Sequence, residues 1–96
     1  MEASKVAKKR ERLEVIFDIL SAIRDEHNNI RPTRLLYRSN LSPQMFKEYT
    51  QELVEKGFVE KKELTDGNKS FTLTKKGFEF LEKYQVIIGF IHDFGL

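Results

Sequence analysis

Residues 31–60 read RPTRLLYRSNLSPQMFKEYTQELVEKGFVE, and this stretch decides the fold. The fixed φ of Pro32 suits the first position of a helix, so a short helix is predicted from Pro32 through Arg38. Asn40 and Leu41 make a tight connection. Ser42 is a good N-cap and Pro43 again suits a first helical position. Phe46, Tyr49, Thr50 and Leu53 then recur at helical spacing as far as Gly57, a residue type that fits the position just past a helix end. Two helices with so short a link must pack as neighbours.

Upstream, residues 4–26 lack Gly and Pro, and Leu13, Ile16, Phe17, Leu20 and Ile23 follow the spacing of one buried helical stripe. The first turns of this helix carry Lys5, Lys8, Lys9, Arg10 and Arg12 around few apolar anchors, and His27, Asn28 and Asn29 end it. Downstream, residues 58–64 and 70–73 are short β-compatible runs separated by Thr65, Asp66, Gly67 and Asn68, and Asp-Gly is a strong hairpin-turn signal. Thr74 caps a last helix running from Lys75 to about Phe94. The chain is therefore mainly α with a small β-hairpin, an α+β arrangement in the order helix, helix, tight turn, helix, strand, strand, helix. That order is the winged helix-turn-helix. Residues 1–74 form the winged domain, and residues 75–96 form a C-terminal dimerisation helix packed as part of the same unit.

Composition narrows the function. Ninety-six residues make one domain, and 40% hydrophobic with eight Phe is enough to fill one core. With no Cys, thiolate zinc sites and cysteine nucleophiles are excluded, and the two histidines, His27 and His92, have no metal-ligand spacing, so no metal and no cofactor are expected. No apolar run approaches a membrane span, and the charged N-terminus does not read as a signal peptide, so a cytoplasmic location is expected. Net charge is only +2, but residues 1–40 hold nine Lys and Arg against six Asp and Glu, so the basic excess is N-terminal. Nothing supplies a nucleophile, a base and an oxyanion site together, so no enzymatic activity is expected. Carboxylate pairs such as Asp25 and Glu26 read as solvated charge.

In a helix-turn-helix, the helix after the turn enters the major groove of DNA with its N-terminal residues against base edges. With Phe46, Tyr49, Thr50 and Leu53 inward, Gln44, Glu48, Gln51 and Glu55 fall on the opposite face and Lys47 on its flank. Gln44, Lys47 and Gln51 are the expected base-reading residues, since Gln pairs with adenine and Lys reaches guanine or a phosphate. Ser42, at the helix N-terminus, is an expected phosphate contact. Arg31, Arg34 and Arg38 share a helix face, and Lys61, Lys62 and Lys69 flank the hairpin turn; these six are the expected backbone contacts on double-stranded DNA. Glu48 and Glu55 oppose that reading, because phosphates repel carboxylates. Aromatics at helical spacing, Phe46 and Tyr49 among them, read as core and not as a small-molecule pocket.

The last helix is too apolar for a lone surface helix. Leu81, Tyr84, Ile88 and Ile91 follow a heptad-like seam, and Phe80, Ile87 and Phe94 add a second stripe beside it. One stripe covers the winged-helix core. The other is expected to be a homodimer interface, assigned to Leu81, Tyr84, Ile87, Ile88, Ile91 and Phe94, packed antiparallel against its mate, the alternative being that the first helix covers both stripes. The alternative is a winged helix used only as a protein-interaction module, its acidic third helix and apolar C-terminal stripe both binding proteins.

Residues 31–60 together with the later stretch FTLTKKGFEFLEKY (residues 71–84) resemble the archaeal winged-helix DNA-binding proteins of the small Sulfolobus chromatin-protein type. The resemblance rests on Thr33 and Arg34 with Tyr37, the turn of Asn40, Leu41 and Ser42, Tyr49 and Leu53 before Gly57, and the run from Leu73 to Gly77. It implies a dimer joined by an antiparallel coiled coil of C-terminal helices, with a role in compacting DNA or regulating transcription. Here the last helix stops after about five turns, which implies a more compact dimer.

Overall fold

The computed structural model describes the backbone of residues 2–96 and the side chains of residues 12–96. The side chains of Lys5, Lys8, Lys9 and Arg10, on the basic N-terminal segment, lie outside the described residues. Six elements follow in chain order: α1 (Glu2–Asp25), α2 (Pro32–Ser39), α3 (Pro43–Glu55), β1 (Val59–Glu63), β2 (Lys69–Leu73) and α4 (Lys75–Asp93). This is the winged helix-turn-helix order, three helices, an antiparallel hairpin and a final helix.

Local chemistry sets each boundary. Pro32 opens α2, and Asn40 closes it in the left-handed region at φ 56°, a conformation Asn tolerates better than most residues. The Ser42 side chain accepts a hydrogen bond from the Met45 N–H at 3.2 Å, which satisfies one of the orphan donors of α3. Gly57, at φ 81°, ends α3 where a Cβ would strain the backbone. At α4, Thr74 accepts from the Gly77 N–H at 3.2 Å and donates to the Gly57 carbonyl at 2.6 Å, so one hydroxyl ties the end of α3 to the start of α4.

The hairpin pairs Val59 with Leu73, Lys61 with Phe71 and Glu63 with Lys69 on one face. Five residues connect its strands, with Gly67 at φ 82° and the Asp66 side chain accepting from the Asn68 N–H at 3.0 Å. An addition that the sequence pattern does not show is a bridge from Ile30 to Phe71, with N–H···O distances of 2.8 and 3.2 Å. It fastens the segment before α2 to the hairpin. The turn leading to it carries His27 and Asn28 at positive φ, and the Asn28 side-chain oxygen accepts from the Leu73 N–H at 2.6 Å.

The core gathers Ile16, Ile19, Leu20 and Ile23 of α1 with Leu35, Phe46, Leu53, Val59, Phe71, Leu73 and Leu81. Burial of α1 on this side explains why its stripe begins at Ile16, whereas Leu13 is left exposed. The first turn of α4 approaches the end of α3 so closely that a Cβ on Gly77 would collide with the Phe58 carbonyl and crowd Leu73. Gly77→Ala is therefore expected to destabilise the fold by about 1–3 kcal/mol, read as a lower urea midpoint at unchanged m-value. An unaltered midpoint would show that α4 can shift to make room.

Candidate nucleic-acid interface

On α3 the apolar side is turned in, with Phe46, Thr50 and Leu53 buried, while Gln44, Lys47, Glu48, Gln51 and Glu55 are exposed on the other side. Thr50 loses nothing by burial, because its hydroxyl donates to the Phe46 carbonyl at 2.9 Å. Ser42 is exposed, and its role as cap acceptor leaves the hydroxyl proton able to reach a phosphate oxygen. Between α3 and the hairpin runs a groove of about 380 Å³ lined by Lys47, Thr50, Gln51, Val54, Glu55, Lys61 and Phe71. Gln51 donates to Glu55 at 3.4 Å, one turn away, so one of the acidic residues of this face restrains a base-reading candidate.

A larger groove, about 770 Å³, lies between α2 and the hairpin, and its walls include Arg31, Thr33, Arg34, Tyr37, Lys61 and Lys69. Lys61 borders both grooves, packed 5.8 Å from the Phe71 ring centre. Strand alternation explains the grouping, since residues 61, 63, 69 and 71 share one face of the hairpin. Lys62 does not join them. It falls on the opposite face and lies 3.8 Å from Glu60, so the three hairpin lysines form a pair and an outlier. Gln44, Ser42 and Arg38 line neither groove.

The arginines are less available than their spacing suggests. Arg34 and Arg38 both donate to Glu26, at 2.6 and 2.8 Å, and Arg31 pairs with Asp66 at 3.1 Å. Glu26 is thus not a solvated charge: the Arg34 guanidinium, with Arg38 behind it, holds its carboxyl below the usual range. Backbone and side-chain bonds from Asn68, then Arg31, do the same for Asp66. Away from this face, Glu52 receives both Arg12 and Lys56. Lys47, Lys61 and Lys69, by contrast, have no carboxylate within ion-pair distance among the described residues. Tyr37, which the sequence offers only as part of the family resemblance and not as a contact residue, is 88% exposed on the wall of the larger groove; an aromatic on the outer side of α2 was the available signal.

The other expected surface divides in two. Leu81 is 2% exposed and belongs to the core, and Tyr84 packs between Phe17 of α1, at 4.7 Å between ring centres, and Phe80, at 5.8 Å. Leu81 and Tyr84 are therefore used within the protomer, because α1 lies along the first half of α4 and covers that part of the seam. Beyond it, Ile87, Ile88, Ile91 and Phe94 stay exposed, joined by Val86 and Phe90.

A family model described as winged helix-turn-helix matches residues 9–91. The chain belongs to the winged helix-turn-helix family. Among relatives of this winged-helix protein, an uncharacterized protein of Methanocaldococcus jannaschii is 33% identical over 84 residues, covering 88% of this chain and 36% of the relative. The chain thus spans about a third of the length of that curated relative. Among solved structures, Sso10a-2, a DNA-binding protein from Sulfolobus solfataricus, superposes with a TM-score of 0.69 at 24% identity, over 85% of this chain and 82% of that one. A mutant MarR from E. coli complexed with operator DNA gives 0.69 at 23% identity, over 91% and 71%. These two likenesses are of fold. Among the described residues no group of His, Asp and Glu is placed to hold a metal, and no helix is long and apolar enough to cross a membrane.

Proposed function

We propose that this winged-helix protein binds double-stranded DNA as a homodimer, as a transcriptional regulator or an architectural protein of the nucleoid. The α3 face enters the major groove, where Gln44, Lys47 and Gln51 meet base edges and Ser42 meets a phosphate. The adjoining backbone follows the groove between α2 and the hairpin, contacted by Lys61, Lys69, Arg31 and Tyr37, with Arg34 and, beside it on the same carboxylate, Arg38 behind them and Lys62 peripheral. The single observation that carries this reading is that Lys61 borders both grooves, one of them lined also by Lys47 of α3 and the other by Lys69 of β2, with no carboxylate in ion-pair distance of these three lysines among the described residues. That Sso10a-2 is a DNA-binding protein, and that the MarR variant was crystallised with operator DNA, adds support from proteins of the same fold.

The dimer is assigned to the second half of α4, through Ile87, Ile88, Ile91 and Phe94. Those side chains form an apolar surface alongside α1 that a protomer alone leaves in water, the usual mark of a partner surface. The alternative, a module that binds only proteins through the same α4 surface and the acidic residues of α3, predicts a different response to salt. Titration of a labelled duplex between 50 and 200 mM salt is expected to show affinity falling with a log-log slope of about −3 or steeper, from at least three to four neutralised phosphates. A flat dependence, or no binding at 50 mM, favours the protein-binding module.

A further inference from the structure

Glu26 lies one residue beyond the end of α1, where its backbone N–H still bonds the Ala22 and Ile23 carbonyls at 3.2 and 3.3 Å. From that fixed point its carboxylate accepts three N–H groups of α2. Oε1 receives the Nε of Arg34 at 2.6 Å, and Oε2 receives the Nη2 of Arg34 at 3.2 Å and the Nη1 of Arg38 at 2.8 Å. Arg34 is held in the two-bond fork that carboxylates and phosphates both offer to a guanidinium, so a phosphate approaching it meets a competitor already in place. Arg34 also lines the groove proposed to carry the DNA backbone. The arginine side chains remain partly exposed, 61% for Arg34 and 35% for Arg38, so this carboxylate competes directly with anionic partners from solution.

We infer that Glu26 is a positioning residue that restrains Arg34 and Arg38 from indiscriminate phosphate contact, leaving the lysines of α3 and the hairpin to set the grip on DNA. The inference rests on the duplex-binding reading. Its physical content is a count of released counterions: an arginine retained by Glu26 displaces none, and an arginine released from it displaces close to one. Glu26→Gln keeps the shape of the side chain and its accepting oxygen while removing the charge that holds both guanidiniums.

The test is a set of salt titrations on a duplex of arbitrary sequence, using wild type, Glu26→Gln, Arg38→Ala and the double variant, each with a thermal melt. Glu26→Gln is expected to steepen the log-log slope by between about one and two, so that its affinity advantage over wild type is up to roughly tenfold larger at 50 mM than at 200 mM salt. Arg38→Ala is expected to change the slope little in wild type and by about one in the Glu26→Gln background, a coupling that loss of structure alone does not produce. Glu26→Asp, which restores the charge, should return the slope towards wild type. An unchanged or shallower slope for Glu26→Gln, or equal effects of Arg38→Ala in both backgrounds, would overturn the restraint while leaving duplex binding intact. A wild type with no salt-dependent affinity overturns the restraint together with the reading it rests on.

Discussion

Changing Lys47, Lys61 and Lys69 together to Ala is expected to weaken duplex binding by roughly 10²–10³-fold at 0.1 M salt and to make the log-log slope shallower by close to three. These three are singled out over the arginines because no carboxylate lies within ion-pair distance of them among the described residues, so none has to leave a salt bridge to reach a phosphate. All three are exposed side chains, and their removal leaves the core untouched, so the melting temperature should move little. Only Lys61 packs on an aromatic, at 5.8 Å from the Phe71 ring centre, an exposed contact of modest strength. The comparison that gives the result meaning is Lys62→Ala. That lysine lies on the other face of the hairpin beside Glu60, and its loss should change the slope by much less than one. If Lys62→Ala matched a single change at Lys61, the hairpin would meet DNA by a different face from the one argued here.

The second large effect concerns assembly. Ile88→Glu combined with Ile91→Glu is expected to convert dimers into monomers in sedimentation or light scattering, and to cost about 10² or more in affinity for a duplex that carries two half-sites. Both isoleucines are exposed in the protomer, at 42% and 38%, so the variant should fold with a normal helical circular dichroism spectrum. Charge placed there would also lie beside Glu14 and Asp18, which line the same depression, and two copies would repel across the contact. Leu81→Glu is the contrasting change: it buries a charge in the protomer core and should unfold the chain. An unaltered mass for the double isoleucine variant would move the interface away from α4.

How much of this was legible in the sequence follows from the range of the forces involved. Ser42 with Pro43, Asn40, Gly57, the Asp66–Gly67 turn and Thr74 act within four residues, and the structure puts caps, positive φ and turns at these positions. The outward set on α3 was equally readable, since a helix of known inner face has a determined outer one. What escaped were contacts between elements. Arg34 and Arg38 meet Glu26 because two residues at positive φ, His27 and Asn28, turn the chain back, and no periodicity announces that turn. Leu81 and Tyr84 left the expected dimer seam because α1 covers the first half of α4, and amphipathic spacing cannot say which of two stripes a neighbouring helix will take. The separation of Lys62 from Lys61 and Lys69 needed only strand alternation, and that signal was present in the residue numbers.

The most direct test is amide hydrogen exchange of the protein alone and with a saturating duplex at low salt. Slowed exchange is expected in the first turns of α3, from Gln44 to Gln51, and along both hairpin strands, with α4 unchanged by DNA. Protection by DNA that fell on α4 and spared α3 would contradict the proposal that the wet face of the third helix is what enters the groove.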